Sequence, residues 1–175
     1  YGVEVIPSVE VSSGTENREL HILGYYVDWQ DQKFLNKLKR LQEFRRKRAR
    51  RIIDRLRRLG IPLSYNLIIA LDGGVVGRPH IAQALVDAGY VKTMDEAFDS
   101  YLGLGKPAYV RHPLTPEQAI ELVLEVGGLP VLAHPRFAHA DELLPELIEA
   151  GLRGLEVYHS SHDPEHVKHY KRLAK

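Results

Sequence analysis

The sequence contains no cysteine, one methionine and one tryptophan among its 175 residues. The lack of cysteine excludes disulfides, thiolate zinc sites and cysteine nucleophiles. No apolar run approaches the roughly 18 residues of a membrane-spanning helix, and the N-terminus lacks a signal-peptide pattern, so we expect a cytoplasmic protein. The single methionine is Met94, and the chain opens at Tyr1. We therefore interpret the chain as a fragment or a processed form of a longer protein.

The net charge of +1 conceals a strong segregation of charge along the chain. Residues 33–58 hold 13 basic and 2 acidic residues, a local charge of +11, which leaves −10 for the remainder. Apolar residues recur in this segment at three- and four-residue steps, which predicts one long amphipathic helix ending before Gly60 and Pro62. Its basic side chains either form a solvated face or bind phosphate groups, because a one-sided positive stripe attracts polyanions.

Strand and helix patterns alternate in both flanks of the chain. Strands are predicted near Val3–Val11 and at Glu19–Val27, Leu129–Ala133 and Gly154–Tyr158. Capping patterns predict helices after Thr115 and after Asp163. Residues 65–112 have a different sequence pattern, in which glycines interrupt the chain and short helices begin. This pattern is typical of a compact helical insertion. We therefore predict an α/β domain with parallel strands.

Three residues near strands are candidates for chemistry. Glu10 lies near the end of the first predicted strand, His21 lies within the second, and His134 follows Ala133 at the end of the third. Functional groups of α/β folds cluster at the carboxyl ends of strands, and carboxylate and imidazole donors together suit Zn, Mn or Fe. The alternative for each residue is a core or loop position with local hydrogen bonds, and the spacing by itself leaves both open.

Two further patterns offer candidate ligand groups. Gly77-Arg78-Pro79-His80 places a guanidinium and an imidazole at a helix N-terminus, which favours an anion, although a surface turn would have the same sequence. Near the C-terminus, histidines at helical spacing form either a metal site or a solvated polar face. These histidines are His159, His162, His166 and His169.

Seven segments carry a resemblance to a known family. In chain order they are IPSVEVS, ELHILGYYVD, RRKRARRI, GRPHIAQALVDAGY, AFDSYLGLGKPAYV, GGLPVLAHP and GLEVYHS. Together they resemble a PHP-domain (polymerase and histidinol phosphatase) phosphoesterase of the nucleoside 3′,5′-bisphosphate phosphatase and 5′-3′ exoribonuclease branch. The resemblance implies a distorted (β/α)7 barrel, present here in part, with a small helical insertion domain. It predicts barrel segments at residues 1–64 and 113–175, and the insertion at residues 65–112.

The resemblance also implies a multinuclear site for divalent metal ions, with Mn²⁺ expected and Fe²⁺ or Zn²⁺ as alternatives. Glu10 is expected to bridge metals, with His21 and His134 as further ligands, and Glu10 and His134 are the predicted catalytic residues. Arg78 and His80 are expected to line a phosphate pocket.

Arg48, with Arg45 and Arg51, is expected to extend the positive field of that pocket as a substrate-binding group. The family's His-x-His and Ser-Asp-x-His motifs do not occur in this sequence. We therefore interpret the chain as the middle of a longer enzyme, and we expect the fragment alone to be inactive.

The predicted function is metal-dependent hydrolysis of phosphate esters of nucleotides or RNA ends. The expected partner is a nucleotide or short RNA substrate, with no membrane and no obligate protein partner. Two alternatives remain open at the level of sequence. One is a non-catalytic phosphate- or RNA-binding module, and the other is a PHP accessory or proofreading domain of a DNA polymerase.

Overall fold

The computed structural model describes residues 2–70 and 76–175, and the chain packs as two compact units. The first unit comprises Tyr1–Leu35 and His112–Lys175, and the second comprises Asn36–Arg111. The predicted insertion at residues 65–112 includes residues 71–75, which lie outside the described residues. Its assignment as a separate domain stays a prediction.

A four-stranded mixed sheet forms the centre of the first unit. Its strands are β1 (Ser8–Gly14), β2 (Glu19–Tyr25), β3 (Leu129–Leu132) and β4 (Gly154–Leu155), in the order β1-β2-β3-β4. The pairs β1/β2 and β2/β3 are antiparallel, and only β3/β4 is parallel. The fold is thus a mixed α/β structure, as the α/β prediction required.

The prediction of parallel strands is wrong for the pairs β1/β2 and β2/β3. For β1/β2 the connection between the strands explains why. Only residues 15–18 separate the two strands, whereas a parallel pair needs a crossover of a dozen or more residues. Hydrogen bonds close this short turn: the Thr15 N–H donates to the Arg18 carbonyl at 2.8 Å, and the Arg18 N–H donates to Thr15 Oγ1 at 3.1 Å. β1 and β2 therefore form a hairpin.

Helix α5 (Pro116–Leu124) covers one face of the sheet. Thr115 begins it, as predicted, and forms a capping box in which its hydroxyl accepts the Gln118 N–H and the Gln118 side chain accepts the Thr115 N–H. Gly24 of β2 allows the close approach of this helix, because a Cβ there would lie 2.8 Å from Val123 Cγ2. The buried core between helix and sheet includes Val11, Leu20, Ile22, Leu132, Ala119, Ile120 and Val123.

Short helices follow the last two strands. They are α6 (Pro135–Ala138), a 3-10 turn (Asp141–Leu143), α7 (Leu144–Glu149) and α8 (Pro164–Leu173). Asp163 caps α8 as predicted, since its side chain accepts the His166 N–H. β4 ends at Leu155, three residues before the end of the predicted strand.

The second unit consists of helices in its described part. The basic segment forms the predicted helix, α1 (Gln32–Arg58). It is followed by α2 (Tyr65–Ala70), α3 (Arg78–Asp87) and α4 (Met94–Ala97), which continues as a π-helical turn at Phe98–Leu102. One apolar face of α1, with Ala49, Ile52, Ile53 and Leu56, is buried against Ile81 and Leu85 of α3 and their neighbours. No helix in the described ranges is both long and apolar enough to cross a membrane.

Candidate metal centre

The β1/β2 hairpin places Glu10 and His21 on the same face of the sheet. Ser12 pairs with His21 and Glu10 pairs with Leu23, so Glu10 and His21 are diagonal neighbours across the two strands. Diagonal neighbours lie within reach of long side chains. The alternate residues of both strands, including Val11 and Ile22, point into the core instead. The alternation of the hairpin therefore directs a carboxylate and an imidazole to one surface.

His134 reaches the same place from the neighbouring strand β3. Leu132 pairs with Ile22, and one residue later the Ala133 N–H donates to the His21 carbonyl at 2.9 Å. His134 then leaves the strand with φ 28° and ψ 59°, in the left-handed region. A regular strand would direct His134 to the buried face that Leu132 occupies. The change of backbone lets its ring meet that of His21.

The three donor atoms converge. Glu10 Oε1 lies 2.5 Å from His21 Nδ1 and 3.8 Å from His134 Nε2, and the two ring nitrogens are 3.1 Å apart. The structure thus brings together all three metal ligands that the sequence predicted, with one donor atom from each lying within 4.8 Å of the others. About half of the Glu10 side chain remains accessible to solvent (48%). The cluster is therefore open to a ligand from one side.

The charged forms of Glu10 and His134 stabilise each other. The rings of His134 and His21, which hydrogen-bond to Glu10, hold the pKa of the Glu10 carboxyl well below its usual range despite partial burial. The hydrogen bond to Glu10 also raises the pKa of His134, against the opposing effect of burial. A carboxylate that stays ionised beside two imidazoles is a donor set that fits Zn²⁺, Mn²⁺ or Fe²⁺. The residues present therefore fit a divalent cation, without selecting among these metals.

Glu156 supports His134 and was not identified from the sequence. The His134 N–H donates to Glu156 Oε2 at 2.7 Å. The His134 ring nitrogen Nδ1 has no hydrogen-bond partner within residues 2–70 and 76–175, so His134 is held through its backbone N–H and its other ring nitrogen, Nε2. Only its position at the end of a strand points to Glu156. Because β3 and β4 are parallel neighbours, the residues that follow Leu132 and Leu155 lie side by side.

The four C-terminal histidines do not form a second metal cluster among the described residues. His159 lies against His134, with ring centroids 5.5 Å apart. His162 Nδ1 lies 2.9 Å from the Val157 carbonyl oxygen, and His169 Nε2 lies 2.6 Å from Asp141 Oδ2. His166 Nδ1 lies 2.6 Å from Asp163 Oδ1. His162, His166 and His169 therefore each contact a different group, whereas His159 packs beside the candidate ligand His134.

The predicted phosphate-binding residues Arg48, Arg78 and His80 belong to the second unit. Arg48 donates through Nε to the Val110 carbonyl at 2.7 Å, and Arg78 donates through Nη1 to the Leu102 carbonyl at 3.3 Å. Their guanidinium carbons lie 5.7 and 5.8 Å from the centre of the Tyr109 ring. Two arginines that are 30 positions apart in sequence thus meet at one aromatic ring.

His80 has a local structural contact in this region. Its Nδ1 accepts the Gly77 N–H at 2.9 Å, at the start of α3. The sequence pattern Gly-Arg-Pro-His therefore forms the predicted helix start, and its role in phosphate binding stays a prediction.

The chain is similar to bacterial proteins that act on RNA ends or nucleotides. It is 39% identical over 135 residues to a 5′-3′ exoribonuclease of Haemophilus influenzae, covering 77% of this chain and 49% of that protein. It is 34% identical over 169 residues to a 3′,5′-nucleoside bisphosphate phosphatase of Chromobacterium violaceum, covering 92% of this chain and 59% of that protein. The chain therefore spans about half the length of these relatives.

A solved structure supports the same relationship. A protein of Bifidobacterium adolescentis, named as a metal-dependent phosphoesterase, superimposes with a TM-score of 0.79 at 28% sequence identity, over 99% of this chain and 64% of that one. No family model matches the chain. The relatives are hydrolases by name, and the resemblance inferred from the sequence is confirmed. This chain is a homologue of 5′-3′ exoribonucleases and 3′,5′-nucleoside bisphosphate phosphatases, consistent with a PHP-domain phosphoesterase.

Proposed function

We propose that the protein containing this chain is a metal-dependent phosphoesterase that hydrolyses phosphate esters of nucleotides or RNA ends. The convergence of Glu10, His21 and His134 carries this proposal, because three donors from three strands or strand ends meet at an open surface. The names of the relatives, a 5′-3′ exoribonuclease and a 3′,5′-nucleoside bisphosphate phosphatase, support the choice of substrate class.

Glu10, His21 and His134 would hold the divalent cation. Bound metal would lower the pKa of a water molecule and polarise the phosphate oxygens. The Glu10 carboxylate is ionised at neutral pH, as a metal ligand must be, and its lowered pKa keeps it ionised in mildly acidic solution as well. Manganese, more than one metal ion per site, and a cytoplasmic location stay predictions.

Arg48 and Arg78 are proposed to bind a phosphate group of the substrate, together with His80. Guanidinium groups bind phosphate in a bidentate manner and remain charged at all physiological pH values. The meeting of Arg48 and Arg78 at Tyr109 supports this role, because it concentrates two positive charges at one place in the second unit.

The finer fold assignment is also a proposal. Residues 1–64 and 113–175 would form part of a distorted (β/α)7 barrel, and residues 65–112 would form its insertion. The likeness to the phosphoesterase structure supports this assignment.

The test compares metal content and turnover in the longer protein that contains this chain. Glu10→Gln and His134→Ala should lose bound metal and phosphate release from a 3′,5′-bisphosphonucleotide with Mn²⁺. Replacing a residue that only hydrogen-bonds to a metal ligand lowers metal affinity or activity by about 10- to 100-fold. The loss here should be larger, since both residues would supply ligand atoms themselves. His169→Ala is the matched control, because His169 pairs with Asp141 away from the cluster.

The result also separates the alternative functions. Stoichiometric metal and phosphate release in the wild type, both lost in the two variants, support the enzyme. A wild-type protein that binds RNA, but neither binds metal nor releases phosphate, would instead be a binding module. A preference for DNA ends over nucleotides would favour the polymerase-associated alternative.

A further inference from the structure

Phe137 is a solvent-exposed aromatic side chain beside the candidate metal centre. It is 63% exposed, yet its ring centroid lies 5.6 Å from that of His134 and 6.2 Å from that of His159. The imidazole planes of His134 and His159 are nearly perpendicular to the phenyl plane of Phe137, at 70° and 82°. Two imidazoles therefore contact the phenyl group while most of its surface faces solvent.

The position of Phe137 follows directly from that of the metal ligand. Phe137 lies in α6, the single helical turn after His134, and its N–H donates to the His134 carbonyl at 3.1 Å. The adjacent Arg136 donates through Nη1 to the Ser161 carbonyl, and this hydrogen bond connects the turn to the segment before α8. The backbone that fixes His134 thus also fixes the phenyl ring close to the site.

An exposed phenyl group is ordinary when it stands alone on a surface, so exposure by itself indicates nothing. Here the ring is held beside a site that we propose acts on nucleotide phosphates. In a nucleotide only the sugar separates the phosphate from the base, so a base would reach past His134 when the phosphate lies at the cluster. Aromatic side chains offer a stacking surface for any base, since every base has a π-face.

We propose that Phe137 is the stacking platform for a nucleobase of the substrate. This inference rests on the proposed function and adds a base-binding position to it. Because stacking tolerates all bases, the platform would favour nucleotides over phosphate esters without a base, and it would not select one base over another.

Equilibrium binding of AMP and of ribose 5-phosphate tests this directly, since the two differ only in the base. The wild type should bind AMP more tightly. Phe137→Ala should weaken AMP binding about 5- to 150-fold, the range expected for one base stacked on an aromatic ring, and should leave ribose 5-phosphate binding unchanged. Phe137→Tyr should retain the preference for AMP. Tyr158→Ala is the matched control, because Tyr158 is equally exposed (66%) and its ring contacts Lys171 instead.

Equal wild-type affinity for the two ligands would overturn the proposal, as would an equal loss for both ligands in Phe137→Ala. Failure of the proposed function is seen separately, as absence of phosphate release from a 3′,5′-bisphosphonucleotide by the wild type. A base preference that depends on Phe137 would support the platform in either case.

Discussion

The backbone of His134 is the most unusual conformation at the site. A non-glycine residue at φ 28° costs about 1–3 kcal/mol and persists only where its surroundings hold it. Two features of its surroundings constrain this conformation. Glu156 accepts the His134 N–H, and Pro135 starts α6 with a fixed φ immediately after it. A candidate metal ligand is thus held by a neighbouring carboxylate that is not itself one of the three donors.

We predict that Glu156→Ala weakens both the fold and the metal site. Loss of the acceptor leaves a partly buried N–H unpaired, which should lower the free energy of unfolding by about 1–3 kcal/mol, measured by urea titration. Zn²⁺ affinity, measured by calorimetry, should fall about 10- to 100-fold, as for other outer-shell partners. Glu156→Gln keeps an acceptor oxygen and should lose less.

Glu142→Ala provides the comparison for this prediction. Glu142 pairs with Arg18 at 2.9 Å on the surface, and its side chain is 82% exposed. Such pairs contribute about 0–1 kcal/mol. If Glu156→Ala costs no more than Glu142→Ala, the support of His134 by Glu156 is not required.

At the scale of the element, α8 depends on a charged N-cap. Asp163 Oδ1 accepts the His166 N–H at 3.0 Å and lies 2.6 Å from His166 Nδ1. These contacts, the backbone hydrogen bond first, lower the pKa of Asp163. A carboxyl group with a lowered pKa stabilises the folded state above its unfolded pKa of about 3.9, and this stabilisation is lost as the pH falls through the folded value.

We therefore predict a pH-dependent effect of Asp163→Asn, which keeps an acceptor at the cap and removes the charge. At neutral pH the variant should have a lower melting temperature than the wild type. The difference should shrink as the pH falls from about 4 towards the lowered pKa of folded Asp163, because the carboxyl is protonated first in the unfolded chain and then in the folded wild type. Thermal unfolding followed by circular dichroism at a series of pH values measures this, and a difference that is constant with pH would contradict it.

At the scale of the whole molecule, the segregation of charge governs the binding of polyanions such as RNA. The basic residues of α1 are exposed, apart from the half-buried Arg48, while the remainder of the sequence carries −10. Binding of single-stranded RNA through such residues releases counterions, so the affinity falls with salt at a slope of about −0.7 for each phosphate neutralised.

We predict that affinity for a short single-stranded RNA has a log–log salt slope of about −2 or steeper, corresponding to three or more phosphates. AMP should show a shallower slope, since it offers a single phosphate. In the double variant Arg45→Gln/Arg51→Gln the RNA slope should become shallower by about 1.4. Arg153→Gln, an exposed arginine of the first unit, should leave it unchanged. Fluorescence anisotropy at several salt concentrations measures these slopes, and an unaltered slope in the double variant would rule out α1 as the RNA-binding face.

Local sequence determined much of this protein. The spacing of apolar residues predicted α1, and Thr115 and Asp163 marked the starts of α5 and α8, because caps and helical periodicity involve only neighbours within a few residues. The identity of the three candidate ligands also came from the sequence, through motifs that resemble those of a known family.

Only the tertiary structure decided the features that depend on distant parts of the chain. The antiparallel pairing of β2 with β3 joins strands that are far apart in the chain, and alternating patterns do not reveal it. Where His134 turns towards His21, its N–H donates to Glu156, 22 residues later in the chain. Contacts in space decide whether a histidine lies at the candidate metal cluster or beside another group, so neighbouring histidines such as His159 and His162 have different surroundings.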